Sequence, residues 1–171
     1  MSTTVTSPTK NYILDRSVAE KKLRRMALEI IEKNIDEKEI ILAGIKGSGS
    51  VVAKNIRHHL SELAPLKVGL ITISLDKRHP KDITLDKQVD FNNKVIIVVD
   101  DVANSGRTLL YALKPFMEFH PKKIQTLVLV ERRHNSFPIC SDYVGLSVAT
   151  TLQEHIIVEV DEEQVLGAYM E

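Results

Sequence analysis

Four mostly apolar runs set the frame of this chain: EIILAGI at Glu39–Ile45, LKVGLITIS at Leu66–Ser74, VIIVV at Val95–Val99 and IQTLVLV at Ile124–Val130. A strand with one wet face alternates apolar with polar residues, whereas near-continuous apolar runs of this length belong to strands covered on both sides. Such strands need helices over both faces, and the segments between them supply those helices. KGSGSVVAKNIRHHLSEL carries Val52, Ile56, Leu60 and Leu63 at helical spacing, and residues from Gly106 to about Phe119 read as a further helix. Ahead of the first run, Ser17 and Glu20 have the spacing of a capping box, and Leu23, Met26, Ala27, Ile30 and Ile31 recur on one helical face. The alternation dictates an α/β fold, a parallel sheet flanked by helices.

The remaining segments carry weaker patterns. Residues 1–12, rich in Ser and Thr, read as a disordered arm, which leaves 13–171 as one domain without repeat, low-complexity tract or linker. Leu75 to Asn93 mixes charged residues, His and Pro, and reads as a long exposed loop. Past Val130 only a short strand at Tyr143 and Val144 and a last strand at His155–Val160 are expected. His58 and His59 have no acid partner or metal-ligand spacing and read as surface residues.

Bulk properties exclude several functions. The 23 acidic and 23 basic residues balance, so nothing in the total charge marks a polyanion-coating protein. The single cysteine, Cys140, excludes an internal disulfide and a thiolate zinc cluster, and is expected to be a small buried residue. No run approaches the roughly 20 apolar residues of a membrane span, and the opening MSTTVTSPTK lacks the apolar core of a secretion signal, so a cytoplasmic location and no membrane partner are expected.

Chemistry concentrates behind the third run, in VIIVVDDVANSGRT. Ligands of open parallel sheets bind beyond the carboxyl ends of the strands, and Asp100 and Asp101 fall there. Adjacent carboxylates repel each other and lose solvation on burial, an arrangement that makes sense where sugar hydroxyls or metal-bound water donate to them. Gly106 allows close backbone approach, while free amides at a helix start and the hydroxyls of Ser105 and Thr108 suit an anion. Carboxylates for a diol beside amides for a phosphate are what a ribose 5-phosphate requires. A helix cap alone accounts for Ser105 and Thr108 but not for the paired acids. A response-regulator receiver has an acidic pair after its first strand, whereas two strand candidates precede this one.

The whole string resembles the phosphoribosyl-pyrophosphate motif of type I phosphoribosyltransferases. The likeness runs from about Ile13 to Tyr169, and through ILDRSVAEKKLRRMALEIIEKN, ILAGIKGSGSVVAKNI, LVLVERRHNSFPICSDYVG and VEVDEEQVLGAYME it is similar to the branch of bifunctional pyrimidine operon regulators and uracil phosphoribosyltransferases. The resemblance implies a Rossmann-like core with a mobile hood loop. It implies that Asp100 and Asp101 hold the ribose hydroxyls, and that Val102, Ala103, Asn104, Ser105, Gly106, Arg107 and Thr108 wrap the 5-phosphate. Lys46, Gly47 and Ser48 would reach the pyrophosphate, although the family's Thr-Arg-Gly after the lysine is missing and a cation with it. The hood would span Leu75 to Val89, several residues shorter than usual, with Lys77 in the place of a family arginine and Arg78 beside it to neutralise leaving pyrophosphate. ERRH stands where the family's Asp-Arg-Gly-His contacts the base, so Arg132 and His134 match and Arg133 replaces a glycine.

The activity implied is transfer of the phosphoribosyl group to a pyrimidine base, with Mg2+ carried by the substrate and in reach of Asp100 and Asp101. The implied partners are phosphoribosyl pyrophosphate, a pyrimidine base or nucleotide, RNA for a regulator, and a second copy of the chain in a homodimer or higher homo-oligomer. The other reading is a nucleotide-sensing RNA-binding regulator with little catalysis. The basic cluster Lys21, Lys22, Arg24 and Arg25 reads as the solvated face of an amphipathic helix.

Overall fold

The computed structural model describes residues 10–151 and 153–171. Its strands are β1 (Asn11–Leu14), β2 (Glu39–Ile45), β3 (Lys67–Ser74), β4 (Thr84–Leu85), β5 (Val95–Ala103), β6 (Lys123–Arg132), β7 (Tyr143–Val148), β8 (Ile156–Val160) and β9 (Val165–Met170). The helices are α1 (Arg16–Lys33), α2 (Ser48–Leu63) and α3 (Arg107–Ala112), the last followed by a 3-10 segment, Lys114–Glu118. The main sheet has six strands in the order β4-β3-β2-β5-β6-β7, parallel except for the short β4.

Along β5 the pleat sends alternate residues to opposite faces. Val95, Ile97 and Val99 pack with α1, α2 and the second sheet, while Ile96 and Val98 pack with Phe91, Leu109 and Phe116 on the α3 side. Burial on both faces explains the unbroken apolar run, and the parallel α/β core expected from the pattern is present. Phe91 holds the second face together through edge-on contacts with Phe116 and Phe119, at centroid distances of 4.9 and 5.2 Å.

Several local expectations change. Helix α1 is capped by Asp15, whose Oδ1 accepts from Val18 N at 2.8 Å, and Ser17 is exposed within the first turn. The aspartate stands one position before the helix, where a side-chain oxygen best reaches a free amide. The helix expected from Gly106 to Phe119 is six residues of α-helix and then a 3-10 turn with Pro115 near its start, because proline brings no N–H to an α-helical ladder. Asn11 and Tyr12 already pair with β9, two residues inside the segment read as an arm; residues 1–9 lie outside the described residues.

Strand β9 was not apparent from the pattern. With β1 and β8 it forms a three-stranded antiparallel sheet, whose Leu14, Ile156, Val158, Val165 and Ala168 join the core of α1 and α2. The loop from Leu75 to Asn93 contains β4, which pairs with β3. Cys140 is exposed, since it lies in the irregular segment after β6. His59 is buried between α1 and α2, where its Nε2 lies 2.8 Å from Glu20, the acid partner that linear spacing does not reveal.

Candidate active site

Strand β2 has β3 on one side and β5 on the other, so the path of the chain across the sheet reverses between β2 and β5. A crevice opens beyond the carboxyl ends of strands at such a reversal. The turn after β2 lies at the same end of the sheet with exposed Lys46 and with Gly47, whose φ of 97° suits glycine, and Ser48 already begins α2, but none of the three lines the pockets described below. The end of β5 enters the crevice with Asp100 and Asp101, which the strand carries on through Ala103 rather than ending at the acids.

Asp100 is 1% exposed, and its Oδ2 has no hydrogen-bond partner among the described residues. Its Oδ1 accepts from Asp101 N at 2.9 Å, and Asp101 Oδ1 in turn accepts from Val102 N at 2.8 Å. Burial, then the neighbouring Asp101, pushes the Asp100 carboxyl up to about 8, and Lys77 only partly opposes the rise. The Lys77 ammonium stands 3.4 Å from Asp100 Oδ1 and 3.7 Å from Asp101 Oδ1. Partial burial works against the lysine's charge, but Asp100 and Asp101 outweigh it and its pKa moves upward.

Behind the acids, Asn104, Ser105 and Gly106 turn the chain into α3. Gly106 adopts the left-handed conformation at φ 85°, and Ser105 Oγ accepts from Arg107 N at 3.3 Å. This turn, with Lys77 and Asp100, encloses a small pocket of about 70 Å³ that Val102, Ala103, Arg107 and Thr108 also line. The short α3 adds little macrodipole, so an anion here meets the amides of the turn. The segment after β6 supports the turn from outside, because Ser136 N and Phe137 N both donate to Ser105 O, at 3.0 and 3.1 Å.

A second pocket, of about 190 Å³, shares Asn104 and Ser105 with the first and is otherwise lined by Arg132, His134, Ser136 and Thr150. Two of its polar atoms, Arg132 Nε and Thr150 Oγ1, are buried without partners among the described residues. Buried polar groups are nearly always paired, so two orphans on one pocket call for a polar partner there, water in the free protein or a polar ligand in its place. Arg133 is exposed and does not line this pocket, and its backbone N donates to Val148 O at 3.2 Å. Thr150 was missed in the sequence because a threonine in an irregular segment carries no periodic signal. Lys46 and Arg78 are exposed at the mouth loops.

A family model, that of the phosphoribosyl transferase domain, matches residues 11–163. The chain belongs to that family. Among its relatives, the "Bifunctional protein PyrR" of Ligilactobacillus salivarius is 39% identical over 88% of this chain and 91% of its own. The protein of the same name from Bacillus pumilus is 35% identical over 94% and 97% of the two chains. The fold is also that of the Trypanosoma cruzi hypoxanthine phosphoribosyltransferase, with a TM-score of 0.80 at 14% identity over 95% of this chain and 96% of that one. The type I phosphoribosyltransferase architecture expected from the motif is therefore the one observed.

Proposed function

We propose that this family member transfers the phosphoribosyl group from phosphoribosyl pyrophosphate to a pyrimidine base, uracil, and releases pyrophosphate. The observation that carries the reading is the buried Asp100, with one carboxylate oxygen free, beside a glycine turn of backbone amides. On this reading Asp100 and Asp101 accept from the ribose hydroxyls, and the turn from Asn104 to Thr108 anchors the 5-phosphate. The adjoining pocket receives the base, with Arg132 and Thr150 offering hydrogen bonds to its polar edge. The name of one relative, which includes the word pyrimidine, supports that class of base.

The donor set fits magnesium only together with substrate. Among the described residues no group of three or more His, Cys, Asp or Glu could hold a metal ion. Mg2+ commonly rests on one or two carboxylates and completes its octahedron with phosphate oxygens and water, so Asp100 and Asp101 are the residues that would approach it. When bound, it supplies electrostatic stabilisation of the departing pyrophosphate.

The residues of the chain account for orientation and charge. Two anchors, the phosphate turn and the acidic pair, fix the sugar and hold its reacting carbon against the base pocket. The bond from that carbon to pyrophosphate oxygen breaks, the bond to the ring nitrogen of the base forms, and the nitrogen's proton is released. As the first bond lengthens, positive charge grows on the sugar, and the net negative charge of the acidic pair favours it. On this reading Lys77 and Arg78, on the loop after β3, would neutralise the departing pyrophosphate.

The test is pyrophosphate release from phosphoribosyl pyrophosphate and Mg2+ across a panel of bases. Turnover with uracil that falls in Asp101→Asn, with the fold intact, supports the reading; turnover unchanged in that variant rejects it. A second reading, an RNA-binding regulator that senses nucleotides in this pocket, is favoured by the loss of the family arginine between Lys46 and Ser50. A 33% identical relative in Lactococcus lactis is named "Pyrimidine operon regulatory protein". A salt-dependent gel shift specific for a pyrimidine-operon leader, with no turnover on any base, would favour it.

A further inference from the structure

Lys77 is held from two directions. Its ammonium lies on the carboxylates of Asp100 and Asp101, and its main-chain oxygen accepts from the Arg107 guanidinium at 2.9 Å. Arg107 belongs to the phosphate turn, and both residues line the small pocket there. The loop that carries Lys77 is therefore tied to the two places where a sugar phosphate would be gripped.

The two partners of the ion pair differ in freedom. Asp100 cannot leave its site, whereas the Lys77 side chain is half exposed, at 50%. A half-exposed lysine can swing into water without disturbing the core, so the ammonium is the displaceable member. Hydroxyls that approach Asp100 Oδ1 and Asp101 Oδ1 compete with it for those two oxygens. Once evicted, the ammonium remains on the mouth loop and needs another anion. A ligand ending in a pyrophosphate brings one, whereas a simple sugar phosphate does not.

We propose, on the strength of the sugar-phosphate reading of this crevice, that Lys77 is an internal competitor for the acidic pair that makes the protein favour phosphoribosyl pyrophosphate over ligands with the same sugar phosphate and no pyrophosphate. Its selectivity arises from one residue with two successive anionic partners. Binding of a product nucleotide is penalised by the eviction, and binding of the donor recovers that cost at the pyrophosphate.

Calorimetric titration of the full chain with ribose 5-phosphate, uridine 5′-monophosphate and phosphoribosyl pyrophosphate, all with Mg2+, tests this. In Lys77→Met, the first two ligands should bind roughly three- to tenfold tighter, as expected for loss of a competing, partly exposed ion pair. Phosphoribosyl pyrophosphate should bind no tighter than to the wild type, and Lys77→Arg should keep the wild-type ratio of affinities. An unchanged ratio in Lys77→Met, or equal weakening of all three ligands, overturns the proposal. A wild-type protein that binds none of the three overturns the underlying reading of the crevice, a result distinct from either.

Discussion

Gly49, in the first turn of α2, lies directly on Asp100: a Cβ built on the glycine would stand 2.9 Å from Asp100 Oδ1 and 3.1 Å from both Asp100 Cα and Val99 O. Helix α2 can approach the end of β5 this closely only without a side chain at position 49. The close approach is what keeps Asp100 dry, and the dryness sets its unusual proton affinity.

Gly49→Ala should therefore be costly, although alanine ordinarily gains up to about 1 kcal/mol over glycine in a helix. The new methyl meets backbone on two sides, and overpacking of this kind costs roughly 1–3 kcal/mol. A lower melting temperature together with weaker phosphoribosyl pyrophosphate binding is the expected result. Gly69→Ala is the control, since its Cβ would find its nearest neighbour, Ile41 Cγ1, at 3.6 Å. Equal melting temperatures for the two variants would remove the steric argument.

Asp100 should destabilise the free protein at neutral and alkaline pH. Its carboxyl titrates at about 8 in the fold against an ordinary value of 3.8, so the folded state binds the extra proton between those limits. Stability must then fall as pH rises through that window. Asp100→Asn removes the dependence, so its gain over wild type should be slight near pH 4 and level off above about pH 8, at a size on the order of a few kcal/mol. Thermal melts of both proteins from pH 4 to 9 check this, and parallel curves would contradict it. The same variant should lose affinity for the sugar phosphate, because Asn offers only one acceptor oxygen.

The layered core and the acidic pair were legible because both depend on local pattern. Val95–Val99 is apolar throughout since each face of β5 is covered, and the acids and Gly106 follow at fixed offsets. The base pocket was only half legible. Arg132 and His134 lie on one continuous segment, but Thr150 reaches the pocket from beyond β7, a contact no linear spacing encodes. Arg133, which stands where the resembled family has a glycine and could have altered base fit or reached solvent, is exposed and does not line this pocket. His59 failed for the reason Thr150 did, because its partner Glu20 lies on another helix. The short α3 hid behind apolar spacing that a 3-10 segment satisfies nearly as well.

A buried polar cluster should matter to stability and not to ligand binding. Asn34 Nδ2, with two hydrogens to give, lies within hydrogen-bond distance of three acceptors, Ile30 O at 2.9 Å, Gln125 Oε1 at 3.1 Å and the Tyr143 hydroxyl at 3.2 Å, and the Tyr143 hydroxyl donates to Gln125 Oε1 at 2.8 Å. It joins the end of α1 to β6 and β7, far from the acids. Tyr143→Phe leaves Asn34 and Gln125 paired to each other and should cost about 1 kcal/mol. Asn34→Leu strips a partner from Lys123, Gln125 and Tyr143 together and should cost roughly 2–4 kcal/mol. Denaturant titration ranks the two, and the reverse order would mean that the tyrosine anchors the network.

Thr150 offers the cleanest separation of structure from function. Its buried hydroxyl has no partner among the described residues, so the free protein gains little from it and bears the desolvation of an unpaired polar group. Replacement by valine keeps the shape and removes that cost, so Thr150→Val should melt at or slightly above the wild-type temperature. A ligand that pairs with the hydroxyl loses a hydrogen bond worth about 0.5–1.5 kcal/mol, so KM for the base should rise roughly two- to tenfold. KM for phosphoribosyl pyrophosphate should stay unchanged, because the acids and the phosphate turn are untouched. A KM effect on the sugar donor alone would place the base elsewhere, whereas a large fall in melting temperature would show that the hydroxyl serves the fold.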